Sequence, residues 1–229
     1  MKPQLESSVG RKFLVSITGL VLYGFVVLHM LGNLKIFMGV DPVTNQYKMD
    51  LYAVFLREMG SPMLSHGQAL WLTRGLLFIA MIVHLYLVTM LTFKNKSARP
   101  VSYVKTYHGS STFSSRTMFI GGIGILAFLI YHILHMTTGT LHHDGFQEGA
   151  VYHNVISAFQ LPLTAAIYVA AVGLLGFHLY HGVWSLFQTL GVTSSGNNRY
   201  FKGLATASAI VVFIGFAAVP MAVALGFVH

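Results

Sequence analysis

Six histidines, His29, His84, His132, His135, His178 and His181, lie within long apolar stretches of a 229-residue chain. An imidazole can ligate a metal, carry a proton or bridge two helices, and inside hydrocarbon an ionisable group is costly enough to imply a role. Any one of the six reads equally well as a neutral ring bonded across helices. Four stretches that each supply one or two are harder to explain as packing. The chain has no cysteine, which excludes thiolate zinc, cysteine-ligated iron–sulfur clusters and a cysteine nucleophile. Its six acidic residues, Glu6, Asp41, Asp50, Glu58, Asp144 and Glu148, all fall outside the apolar stretches. A zinc or iron–carboxylate centre, or a proton-relay transporter, would want carboxylates among the ligands or along the path. Imidazole alone remains as the ligating chemistry.

The elements that must hold these rings follow from composition. Hydrophobic residues make up 55% and charged residues only 9%, against about a quarter charged in soluble domains. Five stretches reach the roughly 20 apolar residues needed to cross a bilayer: 13–37, 70–93, 117–139, 161–187 and 203–227. The first is too long, and lacks a small-residue cleavage site, to read as a signal peptide. The expected fold class is therefore all-α, an integral membrane bundle of five transmembrane helices forming one domain over 1–229.

Five spans put the termini on opposite sides. One side collects ten basic residues, Lys2, Arg11, Lys12, Lys94, Lys96, Arg99, Lys105, Arg116, Arg199 and Lys202. The other has four, Lys35, Lys48, Arg57 and Arg74, with every acid except Glu6. The positive-inside rule then places the N-terminus in the cytoplasm. The basic surplus is explained by topology, and nothing supports nucleic-acid binding. Residues 38–69 read as a long outer loop with a short helix, Tyr47–Met59, ended by Gly60 and Pro62. Residues 94–116 read as a basic inner loop, and 140–160 as an outer loop holding His142, His143 and His153.

Depth sorts the histidines. From the inner end of each span, His29 is 16 residues in and His132 15, while His84 and His178 are each 9 in. At 1.5 Å per residue the two levels differ by about 10 Å. Spans one and three thus offer one histidine pair, and spans two and four another, as two stacked b haems require. His135 and His181 lie one turn from His132 and His178, so depth prefers the first of each couple without deciding. Gly19, Gly24, Gly121 and Gly124 near the inner level, and Gly75 nearer the outer, offer bare backbone for a macrocycle or for helix packing. A purely structural anchor would leave the paired depths unexplained.

Two strings carry a resemblance over nearly the whole chain. SITGLVLYGFVVLHMLGNL in span one and FHLYHGVWSLFQTLGV in span four, with their H-x-x-G-N-L and H-L-x-H-G-x-W-S patterns, resemble the cytochrome b membrane subunit of succinate:quinone oxidoreductases and fumarate reductases. The similarity is to the five-helix kind that holds two haems; spans two, three and five match mainly by pattern. The resemblance implies His29 and His132 as ligands of the distal haem, and His84 and His178 as ligands of the proximal haem. It also implies flavoprotein and iron–sulfur subunits on the cytoplasmic face and menaquinone as the exchangeable quinone. The setting would be the respiratory chain and tricarboxylic acid cycle in a prokaryotic inner membrane. A higher oligomer of the complex is compatible with it. Nothing here could bind FAD or polarise succinate, so the dicarboxylate chemistry would belong to a partner.

Each ligand is expected to donate its second ring N–H to a carbonyl or hydroxyl, with Thr18 and Ser185 among the candidates. For the quinone, Tyr52, Arg57, Glu58 and His66 cluster on the outer side; their bland reading is a solvated amphipathic helix. His181, Trp184 and Gln188 share a helix face on the inner side, where His181 could equally serve a haem propionate or bridge helices. The alternatives are a di-haem b subunit of another respiratory oxidoreductase and a histidine-containing transporter.

Overall fold

The structure is a computed structural model that describes residues 7–97, 113–143 and 145–229. Residues 98–112 of the expected basic loop lie outside the described residues, as do Lys2, Glu6 and Asp144. The described chain is all-helical: α1 (Ser8–Asn33), α2 (Lys48–Glu58), α3 (Gln68–Ser97), α4 (Phe113–His132), α5 (Val151–Phe159), α6 (Pro162–Thr189) and α7 (Asn198–Ala224). Five segments are long and apolar enough to cross a membrane: Ser8–Met38, Gln68–Asn95, Met118–Thr137, Pro162–Thr189 and Asn198–Ala224. They match the five expected stretches with edges moved by up to five residues. Large side chains such as Leu28, Trp71, Phe78, Ile79 and Ile214 stand exposed on them. In water that surface would aggregate; against lipid tails it is matched solvent.

Helix ends follow local chemistry. Ser7 caps α1, its Oγ accepting from the Gly10 N–H at 2.9 Å. Pro162 opens α6, where its missing N–H costs nothing. Gly60, at φ 92°, ends α2 as expected, in a conformation that favours glycine. A 3-10 turn, Leu34–Met38, extends α1, and a π turn, Ile133–Thr137, extends α4 through a Thr138 N–H to Ile133 O bond of 3.0 Å. Neither turn was legible in the sequence.

The proximal end of the bundle is where α1 starts and α3 finishes, joined by Lys94 Nζ donating to Ser8 Oγ at 3.2 Å. At the distal end, residues 140–160 are not simply a loop: α5 forms within them and packs with α2 over the ends of α6 and α7. Phe159, Ile156 and Val155 are buried there with Ile36, Met49 and Val219. Each such side chain contributes about 1.5–3 kcal/mol where the alternative is water. Tyr47 and Tyr152 stack at 3.5 Å, and Asp50 Oδ1 accepts the Tyr152 N–H at 2.9 Å, capping α5 from α2.

Within the bilayer the hydrophobic drive vanishes, and close packing and hydrogen bonds remain. α1 packs on α3, α4 on α6, and α6 on α7, with α1 also against α6 and α7. Gly215 of α7 lies directly on the Met30 side chain of α1, and Tyr23 Oη meets Ser208 Oγ at 2.7 Å across the same interface. α1 and α4 are not close-packed neighbours among the described residues, nor are α3 and α6. These two combinations form the diagonals of a four-helix arrangement.

Candidate functional site

The histidines meet along the diagonals. His29 of α1 faces His132 at the end of α4, ring centres 5.8 Å apart and planes at 78°. His84 of α3 faces His178 of α6 at 6.5 Å and 60°. Helices that are not close-packed neighbours thus bring imidazoles together across the interior. A metal–imidazole bond is about 2 Å and a ring nitrogen lies roughly 1 Å from its ring centre, so one metal between two imidazoles sets the centres about 6 Å apart. Both separations sit beside that figure. Crossed planes are no obstacle, because each ring can turn about its own metal–nitrogen axis.

The level of each pair can be read from its neighbours. A Cβ at Gly19 of α1 would lie 3.3 Å from His84 Cε1, and one at Gly122 of α4 would lie 3.9 Å from His178 Cε1. His29 is ten residues beyond Gly19, and His132 ten beyond Gly122, which at 1.5 Å per residue is about 15 Å. The levels are therefore further apart than the 10 Å read from span edges. Gly122 rather than Gly121 touches the proximal pair. Gly24, Gly75 and Gly121 have open space where a Cβ would stand, and Gly124 packs on Leu174, which is helix packing.

Hydrogen bonding fixes which ring nitrogen is free. Thr18 Oγ1 lies 2.9 Å from Leu14 O, 3.1 Å from Val15 O and 3.1 Å from His84 Nδ1. A hydroxyl has one proton and a carbonyl can only accept, so Thr18 donates to its own helix and accepts from His84 Nδ1–H. The His84 Nε2 lone pair is left for a ligand. Thr18 was one of the two partners considered from sequence. His178 Nδ1 is buried with no partner among the described residues, and so is His181 Nδ1. A buried polar atom left unpaired costs about 1–3 kcal/mol, a cost that neither ring recovers among the described residues. Two neutral imidazoles, no carboxylate and no thiolate form a donor set suited to a b-type haem at each level.

Around the distal pair, Phe25 stacks on His29 at 5.3 Å, Phe216 leans on it at 5.8 Å, and Phe128 lies 5.9 Å from His132. His135 does not join the pair. It is 1% exposed, stacked between Tyr131 and His142, with Nδ1 2.8 Å from Tyr168 Oη. Tyr168 escaped the sequence reading, although a phenol flanked by apolar residues in the middle of a span was a signal.

The suggested quinone residues are only partly brought together. On the distal side His66 Nδ1 and Glu58 Oε1 pair at 2.6 Å, both exposed. Tyr52 instead packs on Gly32 with Lys35 over its ring, and Arg57 turns back to Ala53 O at 3.0 Å. On the proximal side His181 meets Trp184 edge-on at 6.5 Å, Lys202 lies over the indole, and its Nε1–H donates to Asn198 Oδ1 at 3.2 Å. Gln188 is exposed beyond them. No family model, curated protein or solved structure matches the chain.

Proposed function

We propose that this chain is the membrane anchor and electron conduit of a succinate:quinone oxidoreductase or fumarate reductase, carrying two b haems between an iron–sulfur subunit and menaquinone. The observation that supports it most is the pair of diagonal histidine contacts at 5.8 and 6.5 Å. His29 and His132 would hold the distal haem, His84 and His178 the proximal one. When bound, a haem ligated on both faces supplies one-electron transfer rather than oxygen binding.

The chain's own residues prepare the two levels. Thr18 holds the His84 proton on Nδ1, and Phe25, Phe128 and Phe216 keep water from the distal rings. At the proximal end Arg11, Lys12, Arg199 and Lys202 give a basic surface for the iron–sulfur subunit and, by the positive-inside rule, face the cytoplasm. The exposed Glu58–His66 pair would exchange protons with a distal quinone. A pyridine haemochrome titration of the purified complex tests the reading, with two protohaems per chain expected. None in a folded preparation would remove it.

A further inference from the structure

We infer that Tyr168 and His135 together position His132, through a one-way hydrogen-bond chain that runs from the ligand ring to a ring held outside the site. Tyr168 Oη lies 3.3 Å from His132 Nδ1 and 2.8 Å from His135 Nδ1. The phenol has one proton and can accept as well as donate. The inference rests on the haem reading: with His132 Nε2 as ligand, Nδ1 must carry the proton, and that N–H donates to Tyr168 Oη. Tyr168 then has only one direction for its own proton, to His135 Nδ1, which is the shorter contact. His135 accepts there and keeps its proton on Nε2.

Geometry makes His135 the anchor of this chain rather than a spare ligand. In an α-helix residues three apart lie about 60° apart around the axis, so His132 and His135 would share a face. The wider π turn Ile133–Thr137 begins just after His132 and swings His135 further round. There it is fully buried and clamped between Tyr131, 5.2 Å away at 15°, and His142, 4.9 Å away at 24°. A clamped acceptor fixes the phenol, and the phenol fixes the plane and tautomer of His132. Accepting from a ligand's N–H makes the imidazole more electron-donating and favours the oxidised metal.

The test is a redox titration with low-spin electron paramagnetic resonance on the purified complex and its Tyr168→Phe, His135→Phe and double variants. The distal haem is identified as the one that survives His178→Leu. Tyr168→Phe is expected to keep two haems per chain, raise the midpoint potential of the distal haem alone and alter its resonance. His135→Phe keeps the aromatic stack but removes the acceptor, and should move the same haem. The double variant should shift no further than Tyr168→Phe, because both changes break one chain. An unmoved distal potential, equal shifts at both haems, additive shifts in the double variant, or loss of the distal haem from Tyr168→Phe overturns the inference. Those results leave the haem reading standing, whereas absence of protohaem from the unmodified complex overturns both.

Discussion

The two proximal rings are held differently, and that asymmetry has consequences at single residues. His84 has its tautomer set by Thr18, whereas His178 has a buried Nδ1 with no partner among the described residues. Replacing an outer-shell hydroxyl of this kind costs about 10–100-fold in affinity for the bound group. On the proposed reading, Thr18→Val should therefore weaken proximal haem binding by that factor in a haem-transfer competition and leave the distal level unchanged. His178→Leu should lower the haemochrome count from two to one, and His181→Gln should leave it at two. A count of one in His181→Gln would mean that His181, not His178, is the ligand. The four facing histidines were legible because each recurs at a matched depth in an otherwise apolar span. Tyr168 was not, because its partners lie 33 and 36 residues away on another helix and only packing brings them together.

The long helices were legible for the reason that they span: continuous apolar composition over the thickness of a bilayer leaves no other structure for the backbone. The short elements were not. α5 is nine residues long, below the length at which a helix holds in water alone, and its second N–H, that of Tyr152, is satisfied by Asp50 of α2. The π turn after His132 likewise has no residue signature. α2 depends on a close approach that can be tested. A Cβ at Gly32 would stand 2.8 Å from Tyr52 Cε1, too near for both to stay. Gly32→Ala should lift α2 from α1 and cost about 1–3 kcal/mol, read as a lower thermal midpoint in detergent. The turn before α2 is set by Asp41. The Thr44 and Val43 N–H groups hold its carboxylate below the ordinary 3.8. A depressed carboxylate contributes above its unfolded pKa and loses that contribution as pH falls through the folded value. Amide exchange at Val43 and Thr44, corrected for intrinsic rates, should therefore stay protected at pH 5 and open only below about 3.8.

At the scale of the whole molecule, an odd number of spans makes orientation a single yes-or-no property, and the absence of cysteine makes it easy to read. Val43, 90% exposed at the distal end, and Ser195, exposed at the proximal end, suit single-cysteine reporters. With the N-terminus in the cytoplasm, Val43→Cys should react with an impermeant maleimide on intact cells and Ser195→Cys only after lysis. The opposite pattern would invert the topology. The diagonal meeting of helices was foreshadowed by matched depths, but the 15 Å between levels was underestimated because hydropathy sets a span edge only to within a few residues. The distal cap carries one further consequence. Its stacked tyrosines are separated by 105 residues, and the Tyr152 hydroxyl reaches the main-chain carbonyl of His229 at the very end of the sequence. Contacts of such long loop closure form late, so α2, seated first on α1 through Tyr52 and Gly32, meets Tyr152 only after the ribosome has delivered α5.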